Sequence, residues 1–260
     1  MKRDNWKIWE DCHMSGEVYY KIAIGERSEM ESAKALCKIL KPLYKKRMRV
    51  LDVGCGVGHY LRTLRKEIDM NIDYLGVDIT EKRIQLAKKA FKDEVEFRVG
   101  DIFNLEFEDS AFDIVICNNM ILHLPPNPTK AIAELTRVSG KYVIIRTLFG
   151  KRNYIIKELR TADELEGAVS REGDIIDTNG EVMFYNYFNM YTSSYFKDII
   201  QDIDKKLKIR IEKDNNFARF DNRDVGVETA TVVVDGKQIA GNLILDWRFI
   251  TLVKNDETSY

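Results

Sequence analysis

The chain has 260 residues, 45% of them hydrophobic, which supplies a full core and excludes a disordered chain. Its 41 Lys and Arg against 42 Asp and Glu leave a formal charge of -1, so nucleic acid, which is held mostly through phosphate contacts, is an unfavoured partner. No segment approaches the roughly 20 apolar residues that cross a bilayer, and Met1 to Glu10 mixes charges with Trp6 and Trp9 where a signal peptide would need an apolar run.

Residues 1–48 read as a helical cap, with an amphipathic stretch from Met30 to Leu43 stopped near Pro42. The basic run Lys41 to Arg49 reads as solvated surface. From residue 49 to 149 strands and helices alternate. The apolar runs Val50 to Val53, Tyr74 to Val77, Val95 to Val99, Phe112 to Cys117 and Tyr142 to Leu148 read as buried parallel strands. Helices are predicted over Val57 to Glu67, Glu81 to Phe91 with Thr80 as its cap, and Asn127 to Val138 with Pro128 in its first turn. Strand–helix repetition of this kind implies a doubly wound α/β fold with a mostly parallel sheet.

Residues 150–205 form an insertion over the core. It holds a charged helical stretch from Tyr154 to Val169, a turn-rich interval with Gly173 and Gly180, and the aromatic block Phe184 to Tyr191. Lys151, Arg152 and Lys157 read as solvated, and Thr192, Ser193 and Ser194 offer N-caps for a helix to about Asp204. Residues 206–260 supply strands that complete the sheet: Leu207 to Lys213, a hairpin turning at Asp235 and Gly236, and Leu243 to Lys254. The four cysteines, Cys12, Cys37, Cys55 and Cys117, lack C-x-x-C spacing, so no metal site is expected and reduced thiols in a cytoplasmic protein are. His13 beside Cys12 has no sequence partner that would make a metal site.

The stretch Val50 to Gly58 carries the chemistry. Gly54, Gly56 and Gly58 lie between a strand and a helix, where glycine lets the backbone turn sharply and approach a ligand. Dinucleotide dehydrogenases use G-x-G-x-x-G with the pyrophosphate on the helix N-terminus. Here the third glycine comes one residue early, and Asp52 stands two residues before the first. An anion there repels a pyrophosphate and suits a ligand with an ammonium group, which disfavours a nicotinamide cofactor.

With this loop the sequence resembles the class I S-adenosylmethionine-dependent methyltransferase family over about residues 49–149. Further landmarks agree with that family: Asp78 in Gly76 to Ile79, Asp101 and Ile102 after the third strand, Asn118 at the end of the fourth, and Met120 to Pro125 with His123. Glu134 to Val138 before a strand also fits, although Ser139 and Gly140 replace the usual Pro-Gly-Gly turn. The resemblance implies a seven-stranded Rossmann-like sheet and S-adenosylmethionine as cofactor, with S-adenosylhomocysteine as product. It implies cofactor contacts from Asp52, Gly54, Gly56, Gly58, Asp78, Ile79, Asp101, Ile102 and Asn118, of which Asp78 faces the ribose and Asp101 with Ile102 the adenine. His123 is the candidate general base; its other reading is a histidine bonded to loop backbone.

Around that core, His59 reads as surface or packing, Cys55 and Cys117 as buried thiols, and Tyr19, Tyr20 and Arg27 as groups placed to close over the cofactor. The aromatic block reads either as a substrate lid or as packing against the sheet. The implied activity is O- or N-methylation of a small molecule or a saccharide- or lipid-linked intermediate. Methylation of RNA or protein, and a non-catalytic cofactor-binding subunit or sensor, are the alternatives. Oligomeric state is not legible in the sequence.

Overall fold

The alternating pattern builds one layered unit around a central sheet. A computed structural model describes residues 13–92, 94–159, 185–216, 231–234, 237–240 and 243–254. Helices α1 (His13–Ala23) and α2 (Glu31–Leu40) precede β1 (Arg49–Val53), α3 (His59–Glu67), β2 (Asp73–Asp78), α4 (Glu81–Phe91), β3 (Glu96–Val99) and β4 (Phe112–Asn118). A single tight helical turn (Ile121–His123) leads to α5 (Thr129–Val138) and β5 (Ser139–Phe149). Then come β6 (Lys157–Leu159), β7 (Tyr185–Tyr187), α6 (Ser193–Ile203), β8 (Lys208–Lys213), β9 (Thr231–Val234), β10 (Lys237–Ala240) and β11 (Leu243–Val253).

The main sheet runs β3-β2-β1-β4-β5-β11-β10-β9, with β8 also on β11. Strands β1 to β5 pair in parallel, and β11 lies antiparallel to β5. The chain reverses its direction of travel between β1 and β4. Open α/β sheets bind ligands at such a point, outside the carboxyl ends of the strands.

Side chains alternate between the two faces of each strand. On one face Val50, Ile114, Ile116 and Ile144 pack under Leu36, Leu40, Leu61, Leu64 and Ile84 of α2, α3 and α4. On the other, Leu51, Val115, Cys117, Ile145 and Ile250 pack under Ile132, Leu135, Phe196 and Ile200 of α5 and α6. A third cluster, Leu122, Leu148, Met190, Leu245 and Trp247, closes the carboxyl end of the sheet.

Several expectations change. Among the described residues the sheet has nine strands, the anticipated seven plus β9 and β10. The physical reason is the length of β11: its 11 residues offer one edge to two partners. Arg248 to Val253 pair with β8 and Leu243 to Leu245 with β10. The β9–β10 pairing fits the predicted hairpin, whose turn residues Asp235 and Gly236 lie outside the described residues. The start of the predicted Tyr154 to Val169 helix is a strand instead, β6 paired antiparallel with β7. Backbone bonds between Tyr154 and Met190, and from the Phe188 amide to the Ile156 carbonyl, continue that pairing, so tertiary partners override local helix propensity. The remainder of that stretch, with Gly173, Gly180, Phe184 and Cys12, lies outside the described residues. Strand β3 is an edge with only Phe97 buried, not a fully buried strand. Thr80 takes the N-cap position of α4 without a side-chain cap bond. No helix among the described residues is long and apolar enough to cross a membrane, and no group of three or more His, Cys, Asp or Glu among them is placed to hold a metal.

Candidate functional site

The glycine loop joins β1 to α3 with positive φ at all three glycines: 79° at Gly54, 57° at Gly56 and 72° at Gly58. Their surroundings differ. A Cβ on Gly54 would lie 2.6 Å from Met120 Sδ, and one on Gly58 2.7 Å from the Phe97 ring. On Gly56 it would meet nothing nearer than the His59 ring at 3.8 Å. Gly54 and Gly58 therefore admit neighbouring side chains, whereas Gly56 needs glycine for its backbone alone. The Val77 carbonyl accepts bonds from the Gly54 and Cys55 amides at 2.7 and 3.0 Å, fastening the loop to β2.

Two carboxylates stand behind it. Asp78 accepts the Gly56 amide on one oxygen and the Thr80 amide on the other, both at 2.9 Å. Each oxygen keeps a second lone pair for a further donor. Asp52, on the neighbouring strand and 3% exposed, accepts the Tyr74 hydroxyl at 2.7 Å. Burial pushes its carboxyl up to about 7; the Tyr74 bond opposes that shift and the charge of Asp78 adds to it. A group that removes those charges' repulsion is a cation.

Asp101 follows β3 and accepts the Phe103 amide at 2.9 Å. The Gly100 amide bonds the Asp78 carbonyl at 3.0 Å, which sets the two acids' backbones side by side. Ile79 is half-buried, while Ile102 is 2% exposed and belongs to the core against α5 and α6. Asn118 ends β4 on the same face as Asp52, and both polar atoms of its amide are buried without a hydrogen-bond partner. A buried amide with neither donor nor acceptor satisfied is costly. That makes Asn118 the clearest sign of a ligand.

His123 closes the turn after β4. Its Nδ1 lies 2.8 Å from the Tyr187 carbonyl. A carbonyl only accepts, so Nδ1 carries the proton and Nε2 is the basic nitrogen of the neutral ring. The Asn189 amide and side chain add bonds to the Leu122 and Leu124 carbonyls at 2.8 and 2.9 Å. Thus the aromatic segment Tyr185 to Tyr191 lies across the turn that bears His123. His59 packs between rings: it stacks on Tyr19 at 4.6 Å, and burial lowers it to about 3. Tyr20 instead faces Lys89 of α4, 5.4 Å from its ring.

Sequence reasoning missed a buried polar set beside these groups. Arg146 of β5, 1% exposed, lies across from Asn118 in the sheet register. It donates to Asp214 at 2.8 and 2.7 Å, stacks 4.1 Å from the Trp247 ring, and donates to the Asn119 side-chain oxygen. Asn119 donates to the Tyr60 hydroxyl at 3.1 Å, and Tyr60 to Ser32 of α2. The available signal was an arginine inside an apolar strand run, since a charge there must find a partner.

The arrangement offers a glycine-lined backbone, buried acids and an unsatisfied amide at the carboxyl ends of four adjacent strands. These fit a ligand with a cationic end, hydroxyls and no phosphate.

A family profile described as "Methyltransferase domain" matches residues 44–216. The chain is 34% identical to ajmaline N-methyltransferase of Rauvolfia serpentina over 108 residues, which is 39% of this chain and 36% of that protein. It is 31% identical to phosphoethanolamine N-methyltransferase 3 of Arabidopsis thaliana over 139 residues, 50% of this chain and 28% of that one. These matches thus span well under half the length of either relative. Among solved structures, magnesium protoporphyrin IX methyltransferase from Synechocystis PCC 6803, with bound SAM, is similar with a TM-score of 0.52 at 15% identity, over 86% of this chain and 78% of that one. At that identity the likeness concerns the fold.

Proposed function

The chain belongs to the methyltransferase domain family, and from that membership we propose that it binds S-adenosylmethionine and methylates an oxygen or nitrogen of a small molecule or of a saccharide- or lipid-linked intermediate. The observation that carries this reading is the unsatisfied Asn118 amide beside the positive-φ glycine loop and the buried acids. Asp52 would hold the ammonium end, Asp78 with Ile79 the ribose hydroxyls, Asp101 the adenine with Ile102 packed behind it in the core, and Asn118, on the strand next to that of Asp52, the amino-acid portion. The loop backbone at Gly54, Gly56 and Gly58 gives close approach. The bound cofactor supplies a methyl group already activated on a sulfonium.

The protein's own task is then to hold the acceptor in line and keep water out. The segment Tyr185 to Tyr191, bonded across the turn after β4, would serve that exclusion. His123, whose Nδ1 is held by the Tyr187 carbonyl as in a histidine bonded to loop backbone, would act as a base only for an acceptor that must lose a proton. The substrates in the names of the two N-methyltransferase relatives favour a small-molecule acceptor.

Calorimetric titration with S-adenosylhomocysteine tests the cofactor reading, with NAD as control. Binding at one site, lost in Asp78→Ala, is the expected result. Incubation with methyl-labelled cofactor and cell extract then tests the acceptor. Label in a small metabolite supports the proposal. Label in RNA or protein overturns its acceptor class, and binding without transfer points to a sensor.

A further inference from the structure

The bonds around Asn119 form a directed series. Arg146 can only donate, so the oxygen of the Asn119 amide must face it and the nitrogen must face away. That nitrogen donates to the Tyr60 hydroxyl, and the hydroxyl donates on to Ser32. At the other end Arg146 is held by Asp214, whose second oxygen accepts the Asn216 amide at 2.9 Å. The Asn216 side chain donates to the carbonyl of Glu31 at 3.0 Å, next to Ser32 on α2. The series therefore closes on itself, linking α2, α3, the turn after β4, β5 and the segment after β8.

Asn119 is also one of few residues besides glycine with a positive φ, 56°, and its amide bonds the Arg146 carbonyl at 2.9 Å. Asparagine tolerates this conformation better than most side chains, yet it still costs free energy that the surroundings must offset. Its two chain neighbours are the residues that meet the site: Asn118, with its unsatisfied amide, and Met120, which fills the space over Gly54.

We propose that Asn119 is a positioning residue of the cofactor site: clamped between Arg146 and Tyr60, it fixes the turn after β4 so that Asn118 is presented to the ligand and Met120 stays packed on the glycine loop. The inference rests on the reading that Asn118 contacts the cofactor. The clamp holds the turn from both sides, so the amide of Asn118 is oriented before the ligand arrives. Binding then need not order it.

The test is calorimetric titration of the full chain with S-adenosylhomocysteine, beside thermal melts without ligand. Asn119→Gly keeps the positive φ at no steric cost and removes both side-chain bonds. It should weaken binding about tenfold or more while moving the melting temperature by only a few degrees. Asn119→Asp keeps the acceptor for Arg146 and should recover most of the affinity. A further readout is the emission of Trp247, stacked on Arg146, in a Trp6→Phe/Trp9→Phe background. With Asn119 present the clamp is already formed and ligand should shift that emission little; in Asn119→Gly the turn is ordered only on binding, and the shift at saturation should be larger. Asn119→Gly binding within about twofold of the parent overturns the inference alone. So does an affinity loss that tracks melting temperature in both variants and is not recovered in Asn119→Asp. A parent protein that takes up no S-adenosylhomocysteine overturns the cofactor reading and the inference with it.

Discussion

At the scale of single residues, the three loop glycines share a sign of φ and differ in what surrounds them. Gly56→Ala should cost only the left-handed strain of about 1–2 kcal/mol, since its Cβ meets nothing within 3.8 Å. Gly58→Ala adds a collision with two aromatic rings, Phe97 at 2.7 Å and Phe91 at 3.0 Å. It should cost about 1–3 kcal/mol more. Gly54→Ala should fall between, because the Met120 thioether can swing aside where a packed ring cannot. Urea denaturation of the three variants gives the order directly. Asp52 makes a separate prediction. Its carboxyl ionises near pH 4 in an unfolded chain and near 7 in the fold. Between those values the folded state holds the extra proton, so stability without ligand should decline as pH rises from 4 to 7 and stay low above. The decline has an upper bound of about 4 kcal/mol. In Asp52→Asn this part of the slope should vanish, and urea midpoints measured across that pH range would show whether it does.

At the scale of elements, the Arg146–Asp214 pair joins β5 to the segment after β8 in a place closed to water. Both side chains are 1% exposed. Asp214→Ala strands a buried guanidinium and should destabilise by about 3–5 kcal/mol. Replacing both, as Arg146→Met with Asp214→Leu, should recover much of that loss, because no charge is left unpaired. Equilibrium unfolding of the single and double variants measures the difference. These pairings also explain what was legible. The glycine loop, Asp78 and the β–α alternation were readable, since their signals are carried within a few residues of chain. Helix α4 is found at the predicted bounds, Glu81 to Phe91, for the same reason. Strand β6 was misread as helix because its partner, β7, lies far along the chain. Arg146 and Asp214 are 68 residues apart, and the clamp on Asn119 needs both α3 and β5 in place before it exists. Asn118 was readable as a position, but only the fold reveals that nothing satisfies its amide.

At the scale of the whole molecule, the sheet is held unevenly across its width. Its β5–β11 side is paired along eight residues and flanked on β11 by β8 and β10. Its other side ends in β3, four residues long, which among the described residues pairs only with β2 and anchors itself through Phe97. That ring is the same one that lies against Gly58 and Gly76. Fraying of β3 would therefore withdraw the ring that backs the loop at Gly58. Strands with few buried side chains open at low free energy. Amide hydrogens of β3 should therefore exchange with deuterated solvent well before those of β4 and β5, whereas the amides of Gly54 and Cys55, bonded to the Val77 carbonyl, should exchange with β2. Phe97 thus ties the stability of the sheet's edge to the seat of the glycine loop, and bound S-adenosylhomocysteine should slow exchange at this edge more than at the centre.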